Sequence, residues 1–176
     1  MDYPLTLNHI LERMKILFPT VEVVTRNPDK SYSTQTYADT YRRARALAEA
    51  LNNAGYRDGD RIATLCWNHG VHYEAYFGIP AAGCVLHTLN LRLGAHDLAY
   101  IANHAEDKVI IVDDVLLPLF EQVKGEVKAE RVLVVPFSGK PVPDGYENYE
   151  DFIATATGDW DYPDLAETDG CAMCYT

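Results

Sequence analysis

GDRIATLCWNHGVHYEAYFGIPAAGCVLHTLNLRL, residues 59–93, holds two apolar runs with a segment of helical character between them. The first, Ile62–Trp67, follows the turn Asp58-Gly59-Asp60, and the second is Cys84–Leu89. Neither alternates polar with apolar residues, which is the mark of a strand buried on both faces. Two such strands joined through a helix make a right-handed βαβ unit of a parallel sheet. Gly78, Ala81, Ala82 and Gly83 predict a connecting helix that lies close to the sheet, and Pro80, lacking an amide donor, predicts a kink or an early end. Ligands of parallel sheets gather outside the carboxyl ends of the strands. Asn68-His69 and Thr88–Arg92 are therefore expected on the functional edge.

Further along the chain the rhythm continues. Apolar runs at Lys108–Val112 and Arg131–Val135 extend the series at an even spacing, and helix-like stretches at Asp97–His104 and Val115–Lys124 lie between. This alternation predicts an α/β fold, a doubly wound, mainly parallel sheet with helices on both faces. Residues 136–148 read as a Pro/Gly-rich surface loop, with a short helix near Tyr149–Thr155 and an acidic loop, GDWDYPDLAETDG, after it. The last residues, CAMCYT, read as another buried strand, expected to be interrupted before the connection that would cover it.

On the amino-terminal side, Thr6 is placed to cap a helix whose apolar positions are Leu7, Ile10, Leu11, Met14, Leu17 and Phe18, ended by Pro19. Val21–Thr25 and Ser31–Thr34 are short strand candidates around the turn Asn27-Pro28-Asp29. Thr36 and Asp39 form a capping-box pattern for a helix carrying Tyr37, Tyr41, Ala44, Ala48 and Leu51 on one face, closed at Gly55. Residues 1–58 are expected to lead into the domain and residues 59–176 to form the α/β subdomain.

Composition narrows the function. The chain has 176 residues, 48% of them hydrophobic, enough for one sizeable core. With 15 basic against 26 acidic residues its net charge is −11, which disfavours nucleic acid and anionic membrane surfaces as partners. No apolar run approaches the ~20 residues of a membrane span, and MDYPLTLNHILERM lacks the apolar core of a secretory signal. Cys66, Cys84, Cys171 and Cys174 all lie in apolar runs, predicting reduced, buried thiols and a cytoplasmic location.

The residues also carry a resemblance. TYADTYRRARALAEALNNAGYRDGDRIATL, then NHGVHYEAYFGIPAAGCVLHTLNLRL and DLAYIANHAEDKVIIVDD, resemble the N-terminal portion of the AMP-forming acyl-CoA synthetases, adenylate-forming ligases of the fatty-acyl type. HTLNLRL is the most specific part. CAMCYT is similar to the strand that feeds the family's Ser/Thr/Gly-rich phosphate loop, which would begin at Thr176. The resemblance implies a larger N-terminal domain of which this chain is an incomplete part. It implies substrates and cofactors too: a carboxylic acid, ATP with Mg²⁺, and coenzyme A. The acid attacks the α-phosphorus to give an acyl-adenylate, and the CoA thiol then displaces AMP. The groups that would offset phosphate charge lie beyond Thr176 in the family, so this chain alone is expected to be inactive.

Site readings follow from the same resemblance. Asn90 and Arg92 are implied to line the CoA channel, the guanidinium meeting a phosphate, and their ordinary role would be a loop-stabilising contact. Among the remaining motifs, His69-x-x-His72 has metal-site spacing but no third ligand at a recognisable spacing, which favours core or capping roles. Cys171-x-x-Cys174 lacks a second cysteine pair and would face both ways on a strand. Asp113-Asp114 reads as a helix cap before a magnesium ligand. Arg42, Arg43 and Arg45 read as a solvated face. Tyr73, Tyr76 and Phe77 read as core before the wall of an acyl tunnel. Gly78 and Gly83 have P-loop spacing, but Cys84-Val85 stands where Lys-Ser/Thr is needed.

Two alternatives stay open: a fragment of an aryl-CoA ligase or peptide-synthetase adenylation domain, and a non-catalytic α/β binding module. Uncovered apolar surface would favour self-association, for instance a homodimer, or dependence on further chain.

Overall fold

A computed structural model describes residues 3–57 and 59–175. Six strands form one sheet in the order β7-β6-β5-β3-β4-β8, and every neighbouring pair is parallel. They are β3 (Arg61–Leu65), β4 (Val85–Thr88), β5 (Val109–Asp113), β6 (Arg131–Val135), β7 (Glu147–Asn148) and β8 (Ala172–Met173). A separate antiparallel hairpin, β1 (Glu22–Arg26) and β2 (Tyr32–Thr36), precedes them. The helices are α1 (Leu7–Leu17), α2 (Tyr37–Asn53), α3 (Gly70–Ala81), α4 (Ala95–His104), α5 (Leu117–Phe120) and α6 (Tyr149–Ile153).

Successive side chains of a strand point to opposite faces, so the central strands feed two cores. Ile62, Leu86, Val109, Ile111 and Leu133 pack with α2, α3 and α6 on one face. Ala63, Leu65, Ile110, Val112 and Val134 pack with α4 and α5 on the other. This is why the apolar runs are continuous, and helices do cover both faces.

Local chemistry sets the helix ends. The Thr36 hydroxyl accepts from the Asp39 N–H at 3.1 Å while the Asp39 carboxylate accepts from the Thr36 N–H at 3.1 Å. Hydrogen bonds from Thr36 hold the Asp39 carboxyl down at about 2. Thr6, by contrast, occupies the N-cap of α1 without a side-chain cap bond. Pro80 falls one residue before the end of α3, which it terminates. Gly78 serves helix packing rather than helix–sheet approach, because a Cβ there would lie 2.7 Å from the Ala44 carbonyl of α2.

Four sequence expectations change. Arg43 is not on a solvated face: it forms a two-pronged pair with Glu74 (2.7 and 2.9 Å) and a second with Glu150 (both 2.7 Å). Arg45 turns inward as well, donating to the Trp160 carbonyl and lying over the Tyr162 ring, and only Arg42 stays exposed beside Asp39. The terminal run is not a buried strand, since β8 is two residues long, at the sheet edge, with Cys171 and Cys174 both exposed. In α1 only Leu11 and Met14 of the expected apolar face are buried, while Ile10, Leu17 and Phe18 are exposed. The loop 136–148 also ends in the short strand β7.

Candidate functional site at the carboxyl edge of the sheet

The carboxyl ends of β3, β4 and β5 bring three loops together. After β3 the chain runs through Cys66–His69 into α3, whose first N–H, from Gly70, donates to the Thr25 hydroxyl of the hairpin at 2.8 Å. A Cβ at Gly70 would sit 2.6 Å from Gln35 Oε1, so glycine lets the hairpin close over this end of the sheet.

His69 and Asp113 are both buried, and His69 Nε2 lies 2.8 Å from Asp113 Oδ1. Asp113 Oδ2 accepts the Trp67 N–H at 2.8 Å, and the Phe137 ring stacks on His69 at 4.2 Å. Cys66 completes the cluster: its sulfur and the His69 and Asp113 donor atoms all lie within 4.8 Å of one another. Burial, with the Asp113 charge adding to it, pushes the Cys66 thiol well up, and the thiol points at the Ile111 carbonyl at 3.5 Å. A buried, protonated thiol is a poor nucleophile. The cluster is a brace between the ends of β3 and β5.

His69 and His72 therefore have different partners. His72 Nε2 lies 3.1 Å from the Thr64 hydroxyl, and burial lowers its pKa. Asp113 and Asp114 do not cap the following turn: Asp113 faces Trp67 and His69, and Asp114 accepts from the Ser138 N–H (3.0 Å) and hydroxyl. Tyr73 and Phe77 pack on the small core that Leu11, Met14 and Ala44 form under α1, as their core reading expects, and Tyr76 is exposed.

Asn90 and Arg92 do come together. The Asn90 side chain accepts the Arg92 N–H at 3.0 Å and its carbonyl accepts the Leu93 N–H at 3.1 Å, a turn that leaves both side chains exposed just past β4. His87, within HTLNLRL, is fully buried and faces both Asp107 oxygens at 2.9 Å, bracing β4 against the start of β5. Thr176 lies outside the described residues. Sequence reasoning missed the Cys66–His69–Asp113 contact, which joins residues 44 apart in the chain and leaves no local spacing signal.

This doubly wound arrangement is one that solved coenzyme-A ligases share. A long-chain-fatty-acid-CoA ligase from Archaeoglobus fulgidus superposes with a TM-score of 0.83 at 18% identity, over 100% of this chain and 35% of that one. Residues 17–176 match the AMP-binding enzyme family, and the chain belongs to it. It is 44% identical over 176 residues to the long-chain-fatty-acid–CoA ligase of Thermus thermophilus, covering all of this chain and 32% of the relative. It is 32% identical over 180 residues to the 3-methylmercaptopropionyl-CoA ligase of Ruegeria pomeroyi, covering all of this chain and 33% of that protein. The chain thus spans about a third of the length of these curated relatives. Among the described residues no helix is long and apolar enough to cross a membrane.

Proposed function

We propose that this chain is the N-terminal part of an ATP-dependent acyl-CoA ligase that activates a fatty or related carboxylic acid through its adenylate. The observation that carries this reading is the 44% identity, along the whole chain, to the Thermus enzyme. ATP and coenzyme A are the co-substrates, and Mg²⁺ shields the phosphates. Thr176 begins the phosphate loop, and residues 59–176 are the subdomain that delivers it.

The turn at Asn90–Leu93 supports a place in the coenzyme channel. It presents an exposed guanidinium, Arg92, beyond the carboxyl end of β4, where a planar cation can meet a phosphate. Asn90 acts through that turn, by holding the Arg92 backbone. The exposed Leu5, Ile10, Ile16, Leu17 and Phe18 around α1 support a second reading for this surface, a homodimer contact. The working location is the cytoplasm.

The test has two arms. The coding sequence past Thr176 should encode a Gly/Ser/Thr-rich loop ending in Pro-Lys-Gly, and the protein so extended should release pyrophosphate with fatty acids, ATP and Mg²⁺. Residues 1–176 alone should release none above background. An extended reading frame without such a loop, or turnover by the 176-residue chain, would overturn the proposal.

A further inference from the structure

The buried cluster at the ends of β3 and β5 holds a set of donor atoms that a brace does not require. The register Leu65↔Val112 sets Cys66 beside Asp113 as the two strands end, and the following turn brings His69 back to the same point. A sulfur, an imidazole nitrogen and a carboxylate oxygen are thereby gathered within 4.8 Å of one another, all on buried residues. Around a tetrahedral zinc-type ion, with bonds of about 2.0–2.3 Å, donor atoms stand roughly 3–4 Å apart. Small side-chain rotations would let these three share one ion.

Charge points the same way. The Asp113 carboxylate is fully buried, and among the described residues no lysine or arginine pairs with it. Its one ion-pair partner is His69, which is charged only when protonated. A buried carboxylate without a cation is costly. A divalent cation, the Asp113 carboxylate and a Cys66 thiolate sum to zero, so the ion would leave the buried site neutral. A pocket of about 250 Å³ beside the hairpin is lined by His69 together with Asn68, His72 and Tyr76, and it gives an ion and a water a way in.

We propose that Cys66, His69 and Asp113 bind a zinc-class divalent cation, with water in the fourth position. Thiolate and imidazole suit such an ion, whereas Mg²⁺ and Ca²⁺ prefer oxygen donors. As the sulfur–metal bond forms, the Cys66 thiol gives its proton to solvent. The imidazole proton that now meets Asp113 leaves Nε2, and the neutral ring carries one on Nδ1 instead. The ion then replaces that hydrogen bond as the link between the ends of β3 and β5. The site takes no part in nucleotide or coenzyme binding and does not rest on the ligase reading.

Co²⁺ titrated into the metal-free, reduced chain tests this, in a Cys171→Ser/Cys174→Ser background that removes the two exposed thiols. A sulfur-to-cobalt charge-transfer band, saturating at a single equivalent, is expected in the near ultraviolet, with visible bands of tetrahedral intensity. Equimolar Zn²⁺ should erase both, and excess Mg²⁺ neither. Cys66→Ala should abolish the charge-transfer band, and Cys84→Ala should keep it. His69→Gln and Asp113→Asn, which retain hydrogen-bonding groups, should each weaken Co²⁺ binding at least about tenfold. Zn²⁺ should also raise the melting temperature of the background chain and leave that of Cys66→Ala unchanged. Should Cys66→Ala fail to fold by circular dichroism, His69→Gln and Asp113→Asn carry the test. No charge-transfer band under excess Co²⁺, a band that survives Cys66→Ala, or affinity indifferent to both His69→Gln and Asp113→Asn overturns the proposal and leaves a hydrogen-bonded brace.

Discussion

The imidazole of His69 meets the carboxylate of Asp113 at 2.8 Å, both groups buried, across the gap between the ends of β3 and β5. The same carboxylate takes the Trp67 N–H, so one side chain satisfies the backbone where β3 stops and the ring where α3 starts. Asp113→Ala would leave both donors without an acceptor, at about 2–4 kcal/mol. Asp113→Asn, which keeps one acceptor oxygen, should cost less. Urea unfolding at constant slope measures both, and a loss under about 1 kcal/mol for the alanine variant would mean that water replaces the carboxylate.

Arg43 carries the second prediction. Glu74 is fully buried, and its partners are Arg43 and the Tyr149 hydroxyl at 2.8 Å. Burial works against the Arg43 charge, but hydrogen bonds to Glu150 and Glu74 hold its pKa above the ordinary value. Arg43→Ala would strand the Glu74 charge and should cost about 3–5 kcal/mol. Adding Glu74→Gln should recover part of that loss, because the amide still accepts from Tyr149 without a charge. A double variant less stable than Arg43→Ala would contradict this account.

The capping box predicts a pH dependence. Asp39 is held at about 2 in the folded chain against an ordinary 3.8. A depressed carboxyl contributes stability that is fully present above the unfolded value and is lost as pH falls from about 4 to about 2. The side chain is 41% exposed, so solvent screens the effect and it will be small. Thr36→Ala removes the two bonds made by the hydroxyl, leaving the backbone N–H on the Asp39 carboxylate, and should cost about 1 kcal/mol at neutral pH. It should also flatten the acid limb between those two values, and a variant titrating like the parent would count against the box.

Thiol reactivity separates the cysteines. Cys171 and Cys174 are exposed beside the edge strand, whereas Cys66 and Cys84 are buried. An aromatic disulfide reagent should label two thiols quickly and the other two only on unfolding, since burial also keeps Cys66 protonated. Four fast thiols would mean that the face holding α2 and α3 opens readily.

Much of the fold was legible because its signals are local. Continuous apolar runs marked β3, β4, β5 and β6, and Thr36 with Asp39 marked the start of α2. The arginines were misread because spacing along α2 says nothing of what it packs against. Arg43 is three residues from neither of its acids: Glu74 and Glu150 are 31 and 107 residues away. Cys171–Tyr175 was misread as buried because an apolar edge strand and an apolar central strand look alike until their neighbours are counted.

The sequence by itself determined where β3, β4, β5 and β6 lie, that these four run parallel, and which of their loops share the carboxyl edge. Hydrophobic period and cap chemistry act within a few residues, and a βαβ connection leaves little freedom in direction. Tertiary structure alone decided the partners: His69 with Asp113, and Arg43 with two acids. Those contacts join residues distant in the chain, and burial sets which of them must be satisfied, so they exist only once the two cores have closed on the sheet.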